Sequence, residues 1–574
     1  MRKYQLFGLI ILCISATYLA IAVAPKEHKA GNYIIKATVT VSYDNTITKI
    51  SVCVKTKLGD NDGMLIQNSS NEGGGFVLQI MALDSYARKP GNMFWAYVRL
   101  LIDGKPVDIS PDNINGQLIS EDKSVEWMDS IKEGDRIKLA KTIRVNVDLA
   151  FYIFLIVIIL WSAVALNPLI IALLIPVLAI LIVNIPPYDV FSVFWDPAIA
   201  LVFGAFVIAY SMDKSGLAKR LSYSAVSKAK SPRKLMFYLA FISYVLSMWM
   251  SSLATMLLML PIISTILKAF NASEKSRYAQ GITLAVIFAS ILGGMSTLVG
   301  NPANALAASI VYRSSEIRIE FVDWMIYSVP VSVFVLFVII YILSRFFDAE
   351  KDVKDGYIKF DQASFLAFEA HLMGMGPLTR EEKITISVLT IVIVSWLVSS
   401  ILSKIGLTYY YNVAAISMCG ALILLATNVF SVDDLKNLRW DILLILGGSL
   451  SLAVLMKNSG LLDVFISELH GLSPMKITML ILPIITILSG ILGSMVSIAI
   501  ILPLVVSTMN VNIGFVIYLS LVSTAIIFGP NGVVLEEHAR GRGFLKYESF
   551  VKTSILYMAI TLGILIPIIF MIVT

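Results

Sequence analysis

Apolar runs of about 18 residues or more recur along the whole chain, each long enough to cross a hydrocarbon core about 30 Å thick. Water is absent from such a core, so backbone polar groups must pair within the segment, and a helix is the open-ended way to do this. The chain therefore reads as an all-α polytopic membrane protein with about 11 spans and two further apolar hairpins. Hydrophobic residues fill 57% of its 574 positions and charged residues only 15%, where a soluble domain carries about a quarter charged. The formal charge of +6 calls for no nucleic-acid partner, because Lys and Arg gather in a few loops beside the spans, as orientation signals do. The three cysteines, Cys13, Cys53 and Cys419, form no C-x-x-C pair, which supports neither a disulfide framework nor a metal cluster.

Residues 1–24 open with Met1-Arg2-Lys3 and continue as an apolar run from Leu6 to Val23. That run is long for the core of a cleaved signal peptide, so an uncleaved first span or signal anchor is expected. Residues 25–147 alternate in period two, as in Thr38–Tyr43 and Lys49–Lys55, with an Asp103-Gly104 hairpin signal. A small β-rich domain is predicted, placed outside the cytoplasm by the first span. Asn68-Ser69-Ser70 is a glycosylation triplet of the kind that often arises by chance. Spans are predicted near 149–166, 168–186 and 195–213. Lys214, Lys219, Arg220, Lys228, Lys230, Arg233 and Lys234 then mark a cytoplasmic loop.

The stretch from Leu235 to Phe270 is too long for one upright span and too short for two with a loop. Two arms of about 15 residues, each about 22 Å long, suit a re-entrant hairpin lining a protein cavity. The next span breaks at Gly293-Gly294-Met295-Ser296-Thr297-Leu298-Val299-Gly300-Asn301-Pro302-Ala303-Asn304. Residues 148–347 complete a first repeat, 348–383 form a cytoplasmic linker, and 384–574 form a second repeat. Trp195-Asp196 through Ser215-Gly216-Leu217 matches Trp440-Asp441 through Ser459-Gly460-Leu461, and Leu246–Pro261 lies over Leu488–Pro503 without a gap. Ile526–Gly532 carries the second break. Only Lys457 and Lys476 stand where the first half has its basic loop, so the second repeat is inverted. Inverted repeats with broken helices mark secondary transporters, which bind substrate and ions where the breaks meet.

At such breaks, helix N-termini offer N–H groups to anions and freed carbonyls can hold a cation. Gly and Ser also serve close helix packing, but packing gives no reason for twin breaks at equivalent places. The Ser247-Met248-Trp249-Met250-Ser251-Ser252-Leu253-Ala254-Thr255 hairpin and the Gly293–Asn304 break resemble the motifs of the divalent anion/sodium symporters. That resemblance covers roughly residues 148–574. It implies one sodium site from Ser247, Ser251, Ser252 and the Gly300 carbonyl, and a second from Ser489, Gly493, Ser494 and the region of Gly529. It also implies substrate contacts from Ser252, Leu253, Asn301 and Pro302 on one side, and from Ser494, Met495, Pro530 and Asn531 on the other. The implied protein is a homodimer that carries a small anion such as a dicarboxylate, citrate or sulfate across the cell membrane by an elevator-type motion. Sodium is its possible coupling ion, and no cofactor is implied.

Where that family has Asn-Thr at each hairpin tip, this chain has Ser252-Leu253 and Ser494-Met495. Each apolar replacement removes a donor worth on the order of 1–3 kcal/mol in a buried site, so an unusual substrate is expected. Two alternatives stay open: a transporter-like sensor or scaffold whose outer domain binds a ligand, and an arsenite or cation antiporter of similar architecture. Asp196 and Asp441 are read as interfacial caps rather than proton relays. Glu536, Glu537 and His538 read as a solvated loop. No nucleophile elbow, metal-ligand spacing or phosphate loop speaks for an enzyme, and His28, His371, His470 and His538 are scattered.

Overall fold

A computed structural model describes residues 147–573 apart from 163–166, 184, 230, 274, 316, 361–373, 405–411, 470–471, 510–511 and 528–544, and before them nine strands between 32 and 140. The expected first span, the Asn68 triplet and Gly529, Pro530 and Asn531 lie outside the described residues, as do Glu536, Glu537 and the four histidines.

The strands are β1 (Asn32–Tyr43), β2 (Thr46–Lys57), β3 (Met64–Gln67), β4 (Phe76–Leu83), β5 (Phe94–Ile102), β6 (Lys105–Val107), β7 (Ile114–Leu118), β8 (Ser124–Glu126) and β9 (Arg136–Ala140). They form two sheets, ordered β2-β1-β7 and β3-β4-β5-β9-β8, with β6 added on β5. The alternating runs seen in the sequence fall in β1 and β2, paired antiparallel from Asn32↔Lys57 to Tyr43↔Thr46. Asp103-Gly104 separates β5 from β6, whose register pairs Ile102 with Lys105, the spacing of a two-residue hairpin.

The helices follow as α1 (Val147–Ser162), α2 (Pro168–Leu181), α3 (Pro187–Phe191), α4 (Pro197–Lys214), α5 (Leu217–Ser227), α6 (Pro232–Ser247), α7 (Ser252–Ala269), α8 (Arg277–Met295), α9 (Pro302–Ser315), α10 (Phe321–Phe346) and α11 (Ala349–Lys354). The second half holds α12 (Arg380–Lys404), α13 (Val413–Ala426), α14 (Trp440–Asn458), α15 (Leu461–Leu469), α16 (Pro474–Leu492), α17 (Ser494–Thr508), α18 (Ile513–Ala525) and α19 (Tyr547–Val573). Among the described residues, 8 helices are long and apolar enough to cross a membrane, and further apolar helices of 10–17 residues accompany them.

Two compact units divide the chain. One holds the strands with residues 147–159, 175–190 and 454–464; the other holds 160–174, 191–453 and 465–574. The second unit contains both hairpins and the first break. Each hairpin starts at a Ser-Pro step: Ser231 caps the Lys234 N–H ahead of α6, and Ser473 caps the Lys476 N–H ahead of α16. The serine oxygen satisfies an orphan N–H, and proline at the first helical position gives up no hydrogen bond. Within this unit α8 is buried from Tyr278 to Met295, on all sides rather than along one stripe. It packs against α6, α7, α10, α18 and α19, which makes it the axis around which the first hairpin and first break are built.

Candidate functional site

The first hairpin turns over Met248–Ser251, between the end of α6 at Ser247 and the start of α7 at Ser252, and Ser251 caps α7 by accepting from the Ala254 N–H. The first break covers residues 296–301, between α8 and α9. Asn301 opens α9 with its side-chain oxygen on the Ala303 N–H at 3.0 Å, leaving its amide NH2 as the donor end. Pro302, next in the chain, is buried.

These turns meet at glycine-only distances. A methyl group on Gly294 would stand 1.9 Å from Ser252 Oγ and 2.9 Å from the Gly300 carbonyl oxygen. On Gly300 it would stand 2.8 Å from the carbonyl oxygens of both Gly294 and Ser247. The backbones therefore approach within contact at the point where α8 loses its regular hydrogen bonds.

A broken helix frees carbonyls that must find partners in an apolar surrounding. Asn304 Nδ2 donates to the Gly294 carbonyl at 2.9 Å and to the Thr297 carbonyl at 2.7 Å. Thr297 Oγ1 donates to the Met248 carbonyl and accepts from the Gly300 N–H at 3.0 Å, lashing hairpin tip to break. Ser247 Oγ donates to the Ser290 carbonyl one turn above. Trp324 Nε1 and Ser328 Oγ on α10 donate to the carbonyls of Met295 and Ser296 at 3.0 and 2.9 Å. Four buried side-chain oxygens in these same segments have no partner: Ser252 Oγ, Thr255 Oγ1, Ser290 Oγ and Asn304 Oδ1. Buried oxygens without partners and backbone carbonyls are groups that a hard cation can take as ligands.

In the second half the turn is tighter. Gly493, at φ 85° and ψ 164°, is the whole tip between α16 and α17, a conformation open to glycine and costly for a residue with a Cβ. Ser489 Oγ lies 2.6 Å from Ser523 Oγ on α18, and Ser523 also reaches the Ser494 carbonyl at 3.5 Å. Ser494 is buried and Met495 half-buried. A serine thus supplies a hydroxyl from α18 where the tip itself has a bare glycine.

Of the residues singled out in the sequence, Ser247, Ser251, Ser252, Leu253, Gly300, Asn301 and Pro302 belong to the first hairpin and break. Ser489, Gly493, Ser494 and Met495 belong to the second hairpin, and α9 packs along α17 and α18. Asp196 is a cap, accepting from the Ala198 N–H at 2.8 Å. It also accepts from Ser309 Oγ at 2.9 Å and from Arg313 Nε and Nη2 at 2.8 and 2.6 Å, tying α9 to α4. Asp441 pairs with Arg439 beside it. Sequence alone does not single out Trp324, Ser328, Tyr244 or the Asp196 partners Ser309 and Arg313. Trp324 and Ser328 carry one sequence signal, polar residues recurring every fourth position through Ser332 in an apolar span, and Tyr244, between Ala240 and Met248 at that spacing, carries none.

The family model described as CitMHS, citrate transporter, matches residues 153–529. The chain belongs to the citrate transporter family. It is a membrane transporter and not an enzyme. Among relatives of this citrate transporter family member, an uncharacterized transporter of Haemophilus influenzae is 27% identical over 72% of this chain and 88% of its own length. The sodium-dependent dicarboxylate transporter SdcS of Staphylococcus saprophyticus is 24% identical over 62% of this chain and 74% of its own. The solved YdaH transporter of Alcanivorax borkumensis has 12% identity and a TM-score of 0.45, covering 65% of this chain and 84% of that one.

Proposed function

We propose that this chain carries a small carboxylate-bearing anion, of the dicarboxylate or citrate class, together with sodium. The observation that carries the reading is the buried, unpartnered Ser252 Oγ at the point where the carbonyls of Ser247, Gly294 and Gly300 converge. Sodium would take Ser247, Ser251, Ser252 and the Gly300 carbonyl. A second sodium would take Ser489, Ser494 and the region of Gly493 and Gly529, with Ser523 adding a hydroxyl. The anion would meet Ser252, Leu253, Asn301 and Pro302 from one side and Ser494, Met495, Pro530 and Asn531 from the other.

In this reading sodium draws the two tips together, and the N-termini of α7, α9 and α17 then face the anion with N–H groups and positive dipole ends. Leu253 and Met495 offer the anion apolar contact instead of donors, favouring a substrate with fewer or wider-spaced carboxylate oxygens. Alternating access is by an elevator-type movement of the hairpins and broken helices in a homodimer. The N-terminus is cytoplasmic, residues 25–147 are extracytoplasmic, and 348–383 link two inverted repeats.

The test is the melting temperature of the purified full chain with succinate, citrate, sulfate or phosphate, each in sodium and in choline. Ligand that binds only the folded state raises it by mass action. Stabilisation by one anion in sodium alone is expected; stabilisation by none in either salt overturns the reading.

A further inference from the structure

One face of α10 carries Trp324, Ser328 and Ser332, four residues apart and therefore stacked one turn above another. All three are buried. Trp324 holds the Met295 carbonyl, and the single Ser328 hydroxyl proton is shared between the Ser296 carbonyl at 2.9 Å and the Trp324 carbonyl of its own helix at 2.7 Å. Ser332 Oγ lies 2.8 Å from Ser296 Oγ and 3.0 Å from Tyr244 Oη, while Tyr244 Oη lies 2.8 Å from Ser296 Oγ. Three hydroxyls thus close a triangle between α6, α10 and the first residue of the break. Ser296 Oγ also reaches the Leu292 carbonyl at 2.8 Å and Ser332 Oγ the Val329 carbonyl at 3.1 Å; with one proton on each hydroxyl, Tyr244 is the one that has no carbonyl to serve and donates within the triangle.

We propose that this α10 stripe and Tyr244 are positioning residues for the first cation site, setting sodium affinity without touching the transported anion. The inference rests on the sodium-coupled reading above. Its physical basis is placement. Among the described residues the stripe's hydrogen bonds reach the last residue of α8, Met295, and the first of the break, Ser296, and Tyr244 lies one turn before Ser247 on α6. The triangle thus links α6, three residues before Ser247, to the break, four residues before Gly300, in parallel with the Thr297 contacts to the Met248 carbonyl and the Gly300 N–H. Asn301 is held by the Ala303 N–H, and the Asn304 amide ties the α9 N-terminus to the Gly294 and Thr297 carbonyls, groups that none of the three hydroxyls touches. Loosening the triangle frees carbonyl positions by tenths of an ångström, which a hard cation reads more steeply than an anion bound by side-chain and helix N–H groups.

The test uses the purified full chain with Tyr244→Phe, Ser332→Ala and the hydroxyl-keeping Ser332→Thr. Sodium chloride is titrated against choline chloride, following thermal stabilisation. The Kd of citrate or succinate, whichever stabilises the wild type, is then measured at saturating sodium. Loss of one buried hydrogen bond is expected to raise half-saturating sodium about fivefold in Tyr244→Phe and Ser332→Ala, with Ser332→Thr near wild type and anion Kd unchanged within about twofold. Melting in choline reports folding, and Tyr244→Phe, which deletes one oxygen, decides if Ser332→Ala does not fold. Unchanged sodium dependence, or equal shifts for sodium and anion, overturns the positioning role. A wild type indifferent to sodium overturns the coupled reading and this inference together.

Discussion

Gly293→Ala probes the closest backbone approach at the site. A Cβ at this position would lie 2.2 Å from the Tyr244 carbonyl oxygen and 2.9 Å from both the Tyr244 carbonyl carbon and Ser247 Cβ. The nearest obstacle is main chain, so no rotamer change relieves it, and ordinary contact begins at 3.4 Å. Helices α6 and α8 must part by about an ångström, which at Ser247 and Ser290 lengthens the hydroxyl-to-carbonyl bond that closes the hairpin against α8. Overpacking of this kind costs about 1–3 kcal/mol, offset by at most about 1 kcal/mol of helix propensity gained on replacing glycine. A net loss of up to about 2 kcal/mol remains after a full offset, with sodium-dependent stabilisation lost or weakened at least tenfold because the proposed ligand Ser247 moves. Gly563→Ala in α19, whose Cβ would meet nothing within 4 Å, is the control and should keep or raise stability. Melting temperature in choline measures the packing term, and a sodium titration measures the site. A Gly293→Ala protein as stable as wild type with unchanged sodium response would refute the claim that this approach shapes the site.

Arg313→Ala removes the guanidinium whose Nε and Nη2 both donate to Oδ2 of the buried Asp196 carboxylate, leaving the cap and Ser309 on Oδ1; a loss of about 2–3 kcal/mol is expected because an unpaired buried charge remains, and Asp196→Asn added to Arg313→Ala should recover part of it in a double-mutant cycle. Asp434 sits in the turn before α14, where burial pushes its carboxyl up but the Lys214 ammonium and the Ser431 N–H and O–H outweigh that and hold it well below the usual carboxylate range. A depressed folded pKa means the contribution is fully present above the unfolded value near ~3.9 and is lost as pH falls from there towards the folded value. Asp434→Asn should therefore melt below wild type at pH 7 and converge with it as the pH is lowered below about 4; a constant gap across that range would refute the assignment.

How much of this was legible in the sequence follows from range. Apolar run lengths, the Ser-Pro starts of α6 and α16, the capping serines and the mid-span Gly–Asn–Pro break are local, and each dictates its element through backbone sterics and hydrogen bonding within a few residues. The recurrence of Trp-Asp, Ser-Gly-Leu and Leu-Ser steps is equally visible in the sequence. Family membership agreed with the motif reading, since the matched span covers residues 153–529. The period-two runs of residues 32–57 were likewise local, and β1 and β2 pair along them.

Tertiary structure alone decided which polar groups meet. Tyr244, Ser296 and Ser332 are 36 to 88 residues apart, and a serine in an apolar span looks the same in sequence whether it bonds its own helix, as Thr283 does to the Ala279 carbonyl, or clasps another. Asp196 could be read as a cap, because a cap is local, but its Arg313 partner lies 117 positions away. The partnerless oxygens of Ser252 and Asn304 are likewise a property of the packed state: a hydroxyl or amide is an orphan only where burial has removed water and no neighbour has replaced it.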